Sequence, residues 1–356
     1  MIGMSVFDAD AFTATSLTKA VNYMSYVPDF LGSIPGLFEE VPIRTTEVWI
    51  ERRGYQAQIL KTSPRGSPPS RTAGADLRDA RAYQTVRLMD ASRVHAHELQ
   101  SIRRFGSEID LKDLAEEIGR RQFKITANHD ITEEWHRFNV VTQGKMLDSD
   151  STTLVDWTAE FPDTTGQPKG ARALTTLSEV AFAFSASNDT GSVRQNCNTI
   201  VRAIMRNLSG LIGRSKATVV GLCDDTFYDD LVTSAEVRNT FKNWTAAADL
   251  RGTVGEVFQP FTYAGIEFVN YRGTDDATTL AVASGKCKFF PRNAGIFQIA
   301  RAPAEKFEFV NTPGQRRYSW ITRDIERDMW ADIEVATYPL FACVLPQALA
   351  SGRAGS

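Results

Sequence analysis

The stretch KTSPRGSPPSRTAGAD, Lys61 to Asp76, carries three prolines, two glycines and three serines in sixteen residues. That is the composition of a linker, yet both of its flanks alternate with a period of two. Before it, TEVWIERRGYQAQIL sets Val48 and Ile50 on one face and Trp49 and Glu51 on the other. After it, RAYQTVRLM alternates Tyr83, Thr85 and Arg87 with Ala82, Gln84, Val86 and Leu88. Period-two patterning rich in β-branched and aromatic residues predicts strands, and neither is apolar enough for a central core strand. Residues 46–90 are therefore expected to form a two-stranded projection with a long polar tip. An isolated hairpin is marginal in water, so this one should gain its order from a partner surface.

The rest of the chain offers a body for the projection. Its 356 residues allow two domains or one large elaborated one. With 42% hydrophobic and 23% charged residues, it has the composition of a globular protein. A net charge of -3 argues against sequence-independent clamping of nucleic acid, which needs a basic surface. Cys197, Cys223, Cys287 and Cys343 form no CxxC pair, and buried free thiols in a reducing cytoplasm are expected. No apolar run approaches the ~20 residues of a membrane span, and the N-terminus lacks the pattern of a signal peptide.

Along the chain, residues 1–45 read as an extended arm. Prolines at 28, 35 and 42 remove backbone donors and restrict their neighbours. The arm's apolar residues Val27, Phe30, Leu31, Ile34, Leu37 and Phe38 need a surface, on this body or on a neighbour's. From about Asp110 to Lys145 the period becomes helical, with Leu111, Leu114, Ile118, Ile125, Trp135, Phe138 and Thr142 at helical spacings. The polar Gln122, Asn128 and His129 interrupt this stripe, and a break is expected near Asn128. The length exceeds the usual helix of ~11 residues and suits a strut crossing the molecule. Ser151 to Phe161 reads as a strand. Val193, Cys197, Ile200, Ile204 and Leu208 mark one face of a helix, Thr218 to Cys223 a buried strand, and Asp224-Asp225 the cap of a following helix. The remainder is strand-like, with a bend at Gly265.

Catalytic signals are weak. His95 and His97 make an HxH pair without a third ligand at recognisable spacing. Glu133-Glu134-Trp135-His136 holds one ExxH, where a di-iron bundle needs two, so a solvated helix face is the expectation. No nucleophile elbow or G-x-G-x-x-G occurs. Ser284-Gly285-Lys286-Cys287 lacks the upstream glycine of a phosphate loop and has cysteine at its metal-binding position. The carboxylates Asp224, Asp225, Asp229, Asp230, Asp324, Glu326 and Asp328 read as caps or solvated faces. No catalytic, metal or cofactor-binding residues are assigned.

The order of parts carries more: arm, hairpin with a Pro/Gly tip, strut helix, strand, compact α/β region, return to strands. Lys288-Phe289-Phe290-Pro291-Arg292-Asn293, turning at Gly295-Ile296-Phe297, resembles an F-L-P-D-N segment. Arg301-Ala302-Pro303-Ala304-Glu305 through Val310-Asn311-Thr312-Pro313-Gly314 resembles the run that follows it. Asp328 to Glu334 and Tyr338-Pro339-Leu340-Phe341 resemble closing strands, and Ile50-Glu51 to Leu60 with Pro64-Arg65-Gly66 a first hairpin arm and tip. In this order the chain resembles the lambda-type major capsid proteins of tailed bacteriophages, the phage major capsid protein E family, which has the HK97-like fold.

The resemblance implies an α+β HK97-like capsid fold and a role as the major head protein that self-assembles into hexamers and pentamers of an icosahedral shell enclosing double-stranded DNA. It implies an N-terminal arm (1–45), an extended loop (E-loop, 46–90) and a peripheral domain with its spine helix (91–178). An axial domain (179–310) and return strands of the peripheral domain (311–356) complete it. Contacts with a neighbouring subunit fall on the loop tip at Lys61, Pro64, Arg65, Pro68, Pro69 and Arg71. The implied partners are copies of itself, a decoration protein, a portal and a separate scaffolding protein, since only ~45 residues precede the hairpin. DNA is enclosed without sequence-specific binding, no membrane is involved, and assembly takes place in the host bacterial cytoplasm. Some members of the fold cross-link a loop lysine to an asparagine; Lys61 is the only lysine of the hairpin and Asn311 lies in a plausible downstream region, but no acidic catalyst can be placed and a solvated lysine at the tip is the expectation. The rival readings are a cytoplasmic α/β enzyme with an inserted hairpin and a pocket at Asp224, Asp225 and Asp229, or another virion structural protein.

Overall fold

The computed structural model describes residues 28–54, 77–95, 110–161, 176–187, 189–208, 217–242, 260–274, 279–324, 326 and 329–355. A short helix α1 (Phe30–Ser33) precedes strands β1 (Phe38–Pro42), β2 (Glu47–Gly54), β3 (Leu77–Gln84) and β4 (Leu88–His95). The long helix α2 (Asp110–Gln143) leads into β5 (Lys145–Leu147), β6 (Thr153–Asp156) and the single turn α3 (Trp157–Glu160). Next come β7 (Val180–Ala183), α4 (Ser192–Asn207), β8 (Thr218–Cys223), α5 (Asp225–Thr233) and α6 (Ala235–Lys242). The chain continues through β9 (Phe261–Tyr263), β10 (Ile266–Asn270), β11 (Lys286–Arg292) and β12 (Phe297–Arg301). It ends with β13 (Tyr318–Arg323), β14 (Trp330–Thr337), β15 (Pro339–Cys343) and β16 (Ala350–Gly355).

The largest sheet has the order β7-β16-β11-β8-β10-β9. Its strand β8, TVVGLC, is buried from Val219 to Cys223, as an unbroken apolar run predicts for a strand covered on both faces. Parallel pairing of β8 with β10 requires a crossover, and α5 and α6 lie in that connection. Helix α4 buries Val193, Cys197, Ile200 and Ile204, with Leu208 buried just past its end, the expected stripe. Phe182, Phe227, Phe268 and Phe289 form an aromatic core against this sheet, with ring centroids 5.4 to 6.2 Å apart. Between β9 and β10 the chain turns at Ala264 (φ 48) and Gly265 (φ 82), two left-handed residues that give a hairpin of the type I′ kind. The final strand β16 pairs with both β11 and β7, so the end of the described chain lies inside the same sheet as β8.

Smaller sheets complete the body. In the sheet β1-β12-β15, β1 runs parallel to β12 with Phe38 opposite Phe297. Leu31 and Leu37 are buried, so the described part of the arm docks on its own body. The third sheet has the order β13-β14-β4. Across these pieces lies α2, which is exposed at Gly119 and Arg120 and almost wholly buried from Glu133 to Thr142.

Three expectations are corrected. Helix α2 runs unbroken through Asn128, because the polar residues that interrupt its stripe make tertiary contacts. Asn128 donates to Asp90 at 2.9 Å, and His129 Nε2 lies 3.1 Å from the Val335 carbonyl. The second arm of the hairpin is Leu77–Gln84, whereas Leu88–His95 pairs with β14 in another sheet. Extended backbone continues through both, so alternation alone could not mark the change of partner at Thr85 to Arg87. Residues 151–161 are strand only to Asp156, whose carboxylate accepts from the Thr158 and Ala159 amides at 3.0 and 3.3 Å and starts a helical turn.

Candidate functional site

The projecting hairpin is a stem of eight facing pairs, from Glu47 opposite Gln84 to Gly54 opposite Leu77. The tip residues Lys61, Pro64, Arg65, Pro68, Pro69 and Arg71 lie outside the described residues. The stem's base is held to the body by polar and aromatic contacts. The Tyr83 ring packs on Trp157 with centroids 4.9 Å apart, and its hydroxyl donates to Glu160 Oε2 at 3.0 Å. Burial and the adjacent Glu160 carboxylate push the Tyr83 hydroxyl up to about 12, so it remains a donor. Arg81 pairs with the same carboxylate, and the Val86 amide donates to the Pro339 carbonyl at 3.0 Å. Val48 and Ile50 pack inward, as their alternation predicts, and Trp49 on the opposite face is left 67% exposed.

Where the arm meets α2, the interior holds charge. Glu133, Glu134, Arg137 and Arg301 are all buried. Arg301, at the end of β12, directs Nη1 to Glu133 Oε1 at 2.8 Å and Nη2 to Glu133 Oε2 at 3.2 Å. Such a fork on a carboxylate is strong and directional. Arg137 Nη2 donates to the same carboxylate at 2.9 Å. Burial pushes the Glu133 carboxyl upward, but the Arg301 hydrogen bonds and charge, with Arg137 and Arg316, outweigh it and hold it below its ordinary value. Arg301 Nη2 also reaches Glu40 of β1 at 3.2 Å, and Arg137 Nη1 reaches Asp29 at 3.2 Å. The cluster therefore ties the arm, the long helix and the small sheet together.

Glu134 has a different task. Its Oε1 accepts from the Leu31 amide at 2.8 Å and its Oε2 from the Gly32 amide at 3.3 Å. A carboxylate from α2 thus satisfies the free donors at the start of α1, whose preceding residue Asp29 supplies no side-chain cap. Burial outweighs these bonds and the Arg137 charge, raising the Glu134 carboxyl to about 7.

The expectation of a solvated face at Glu133 to His136 is corrected, since Glu133 is 0% and His136 1% exposed. His136 stacks on Phe341 at 5.4 Å, and burial lowers it to about 4. No local pattern shows this burial, because the neutralising Arg301 lies 168 residues away. The one available signal is Arg301, a lone charge inside the apolar run from Ile299 to Ala304.

These shifts predict opposing pH effects. Glu134 binds its proton more tightly folded than unfolded, so its contribution falls as pH rises from about 4.5 through 7. His136 binds its proton less tightly folded, so its contribution rises between about 4 and 6.5. Each slope is at most about 1.4 kcal/mol per pH unit, and the two oppose each other, with buried His129, also lowered by burial, adding to the His136 side. Urea unfolding across pH 4.5–7 should show stability rising more steeply with pH than in wild type in Glu134→Gln, and rising less or falling in His136→Phe. Parallel profiles in all three proteins would refute the assignment.

The remaining candidates have structural roles. Asp224 accepts from the Thr226 and Gly285 amides at 3.1 and 2.9 Å, and Asp225 accepts from Asn270 at 2.8 Å. Asp229 does not join them in a pocket: it lies exposed on α5, where its backbone carbonyl accepts from Thr233. Gly285 sits in a left-handed turn (φ 68) that closes before β11. His95 is half-buried at the end of β4, and His97 lies outside the described residues. Among the described residues no cluster of three metal-ligating side chains occurs, and no helix is long and apolar enough to cross a membrane.

With this geometry in hand, similarity to known proteins is informative. The phage major capsid protein E family matches residues 13–354. The major capsid protein of Salmonella phage Felix O1 is 22% identical, covering 96% of each chain. In three dimensions the chain is similar to the capsid of cyanophage Pam1, at 13% identity with a TM-score of 0.54 over 93% of this chain and 94% of that one. It is also similar to the capsid of cyanophage P-SCSP1u, at 11% identity with a TM-score of 0.52 over 100% and 99%.

Proposed function

Because this chain belongs to the phage major capsid protein E family, with the HK97-like fold of a tailed-phage major capsid protein, we propose that its copies associate as hexamers and pentamers of an icosahedral shell. Its role is structural, and its place is the virion capsid. The shell is assembled in the host cytoplasm around a separate scaffolding protein, with a portal and a decoration protein as further partners. In this reading the hairpin within residues 46–90, with its stem at Glu47–Gly54 and Leu77–Gln84, is the loop that overlaps a neighbour. Residues 91–178 and the return strands from 311 supply the peripheral domain, and 179–310 the axial one, whose largest sheet takes back the final strand β16.

One observation carries the reading: a hairpin stem with its base fastened to the body, its inner face packed and Trp49 exposed on its outer face. Such a stem is oriented before any partner arrives, so less freedom is lost on contact. Many weak contacts of this kind, each made more effective by those already formed, hold a closed lattice. The tip residues Lys61, Pro64, Arg65, Pro68, Pro69 and Arg71 are the proposed points of contact. Double-stranded DNA is the proposed content. Arg194 and Arg202 on the outward face of α4, a helix without an acidic residue, suit loose contact with phosphate.

Purified protein should form capsomers or closed shells seen by negative-stain microscopy and light scattering. A stable monodisperse monomer under every assembly condition would overturn the proposal. An enzyme pocket at Asp224, Asp225 and Asp229 finds no support, since Asp224 and Asp225 are engaged in capping and strand contacts and Asp229 stands apart on the surface.

A further inference from the structure

Cys223 and Cys287 sit directly opposite each other on the antiparallel strands β8 and β11. The next pair toward the loop is hydrogen-bonded, since the Asp224 amide donates to the Lys286 carbonyl at 3.1 Å. Pairs alternate in an antiparallel ladder, so the two cysteines occupy the non-hydrogen-bonded position, where facing Cα atoms approach to about 4.5 Å. That separation lies within the range a disulfide spans. The two Sγ atoms are 3.2 Å apart and both side chains are fully buried. All four cysteines of the chain are free thiols.

We propose that Cys223 and Cys287 form a latent covalent staple, closed by a peroxide once the protein leaves a reducing cytoplasm. One thiolate attacks the peroxide oxygen, the O–O bond breaks, and a sulfenic acid and water form. The second sulfur then displaces the hydroxyl group as another water. The sum is two thiols and one hydrogen peroxide giving one disulfide and two waters, with two electrons passing to the oxidant. The staple joins two central strands of the largest sheet and encloses the whole of 224–286 in a covalent loop. Disulfides persist on virions and are rare in cytosol, so the thiol form suits synthesis and the disulfide suits the released particle. That timing rests on the capsid reading, whereas the chemistry does not.

Closure is slow. Burial holds the Cys287 thiol well above its ordinary value, and only the thiolate reacts. A peroxide must wait for the sheet to open, and the bond should form over hours to days. Cys197 is the nearby competitor, as its charge is felt by Cys287, but it lies on α4 and faces no cysteine across a ladder.

The test uses purified full-length protein held in dilute hydrogen peroxide, then denatured, alkylated and mass-mapped. Wild type should lose two of four alkylatable thiols, become lighter by two hydrogens and show the peptides of Cys223 and Cys287 joined, all reversed by a phosphine. Cys223→Ala and Cys287→Ala should each keep three alkylatable thiols. Four free thiols in wild type after prolonged exposure would overturn the proposal. So would pairing through Cys197, or oxidation of either cysteine to a sulfinic acid without cross-linking. The mass change is read on the subunit whether or not shells form, so failure of the staple and failure of the capsid reading are separately visible.

Discussion

Replacing Arg301 with Met should lower the unfolding free energy of the subunit by about 3–5 kcal/mol in urea titration. The residue ends β12 and is 2% exposed, and its guanidinium forks onto the fully buried Glu133 carboxylate. Methionine keeps much of the volume but removes the charge that neutralises Glu133. The carboxylate then has Arg137 as its one close buried partner, at 2.9 Å, and a low-dielectric site does not tolerate a poorly compensated ion. Glu133→Gln should be costly for the mirror reason, leaving Arg301 with the half-exposed Glu40. The double variant Arg301→Met with Glu133→Gln should cost less than the two single losses added, by about 1–3 kcal/mol, since both ends of one interaction are gone. Additive losses, or a single-variant effect below about 1 kcal/mol, would mean the pair is not coupled as its distances indicate. Hydrogen exchange offers a second readout. Because Arg301 also holds Glu40, amides of β1 should exchange faster in Arg301→Met.

That cluster also shows where the sequence is silent. Features written in local order were legible: the unbroken apolar run of β8, the spaced apolar face of α4, the Asp224 cap and the existence of a long helix and a hairpin. Each rests on residues within a few positions of one another. The burial of Glu133 and Glu134 rests instead on Arg301 and on the Leu31 amide, 168 and 103 residues away. A pair of glutamates on a helix reads as solvated until those partners are known. The arm posed the same difficulty, since parallel pairing of β1 with β12 leaves no local mark. The hairpin's second arm was misplaced because Tyr83 and Met89 alternate alike, though one faces β2 and the other β14. The order of elements along the whole chain survived these errors, which is why it pointed to the family when single motifs did not.

Deleting Pro64 to Ala73 should leave folded, soluble subunits that fail to close stable shells. The stem explains why folding should survive. Its base is anchored by Tyr83 on Trp157, by Tyr83 and Arg81 on Glu160, and by the Val86 amide on Pro339, all outside the deleted residues. Shortening a loop changes its closure entropy only slowly, so the unfolding midpoint of the subunit should move little. The assembled state should respond far more. Each subunit contributes one such arm, and a lattice multiplies the loss of one contact by the number of copies. Three prolines and two glycines between Lys61 and Asp76 also disfavour indiscriminate pairing of the tip with other strand edges, which suits a segment meant for one neighbour. Circular dichroism and urea unfolding should therefore match wild type while sedimentation shows free capsomers in place of shells. Shells of undiminished stability would remove the tip from the inter-subunit contacts. An unfolded subunit would show instead that residues 64–73 belong to the folding unit, and substitution of Arg65 and Arg71 by Ser would then test the contact without shortening the chain.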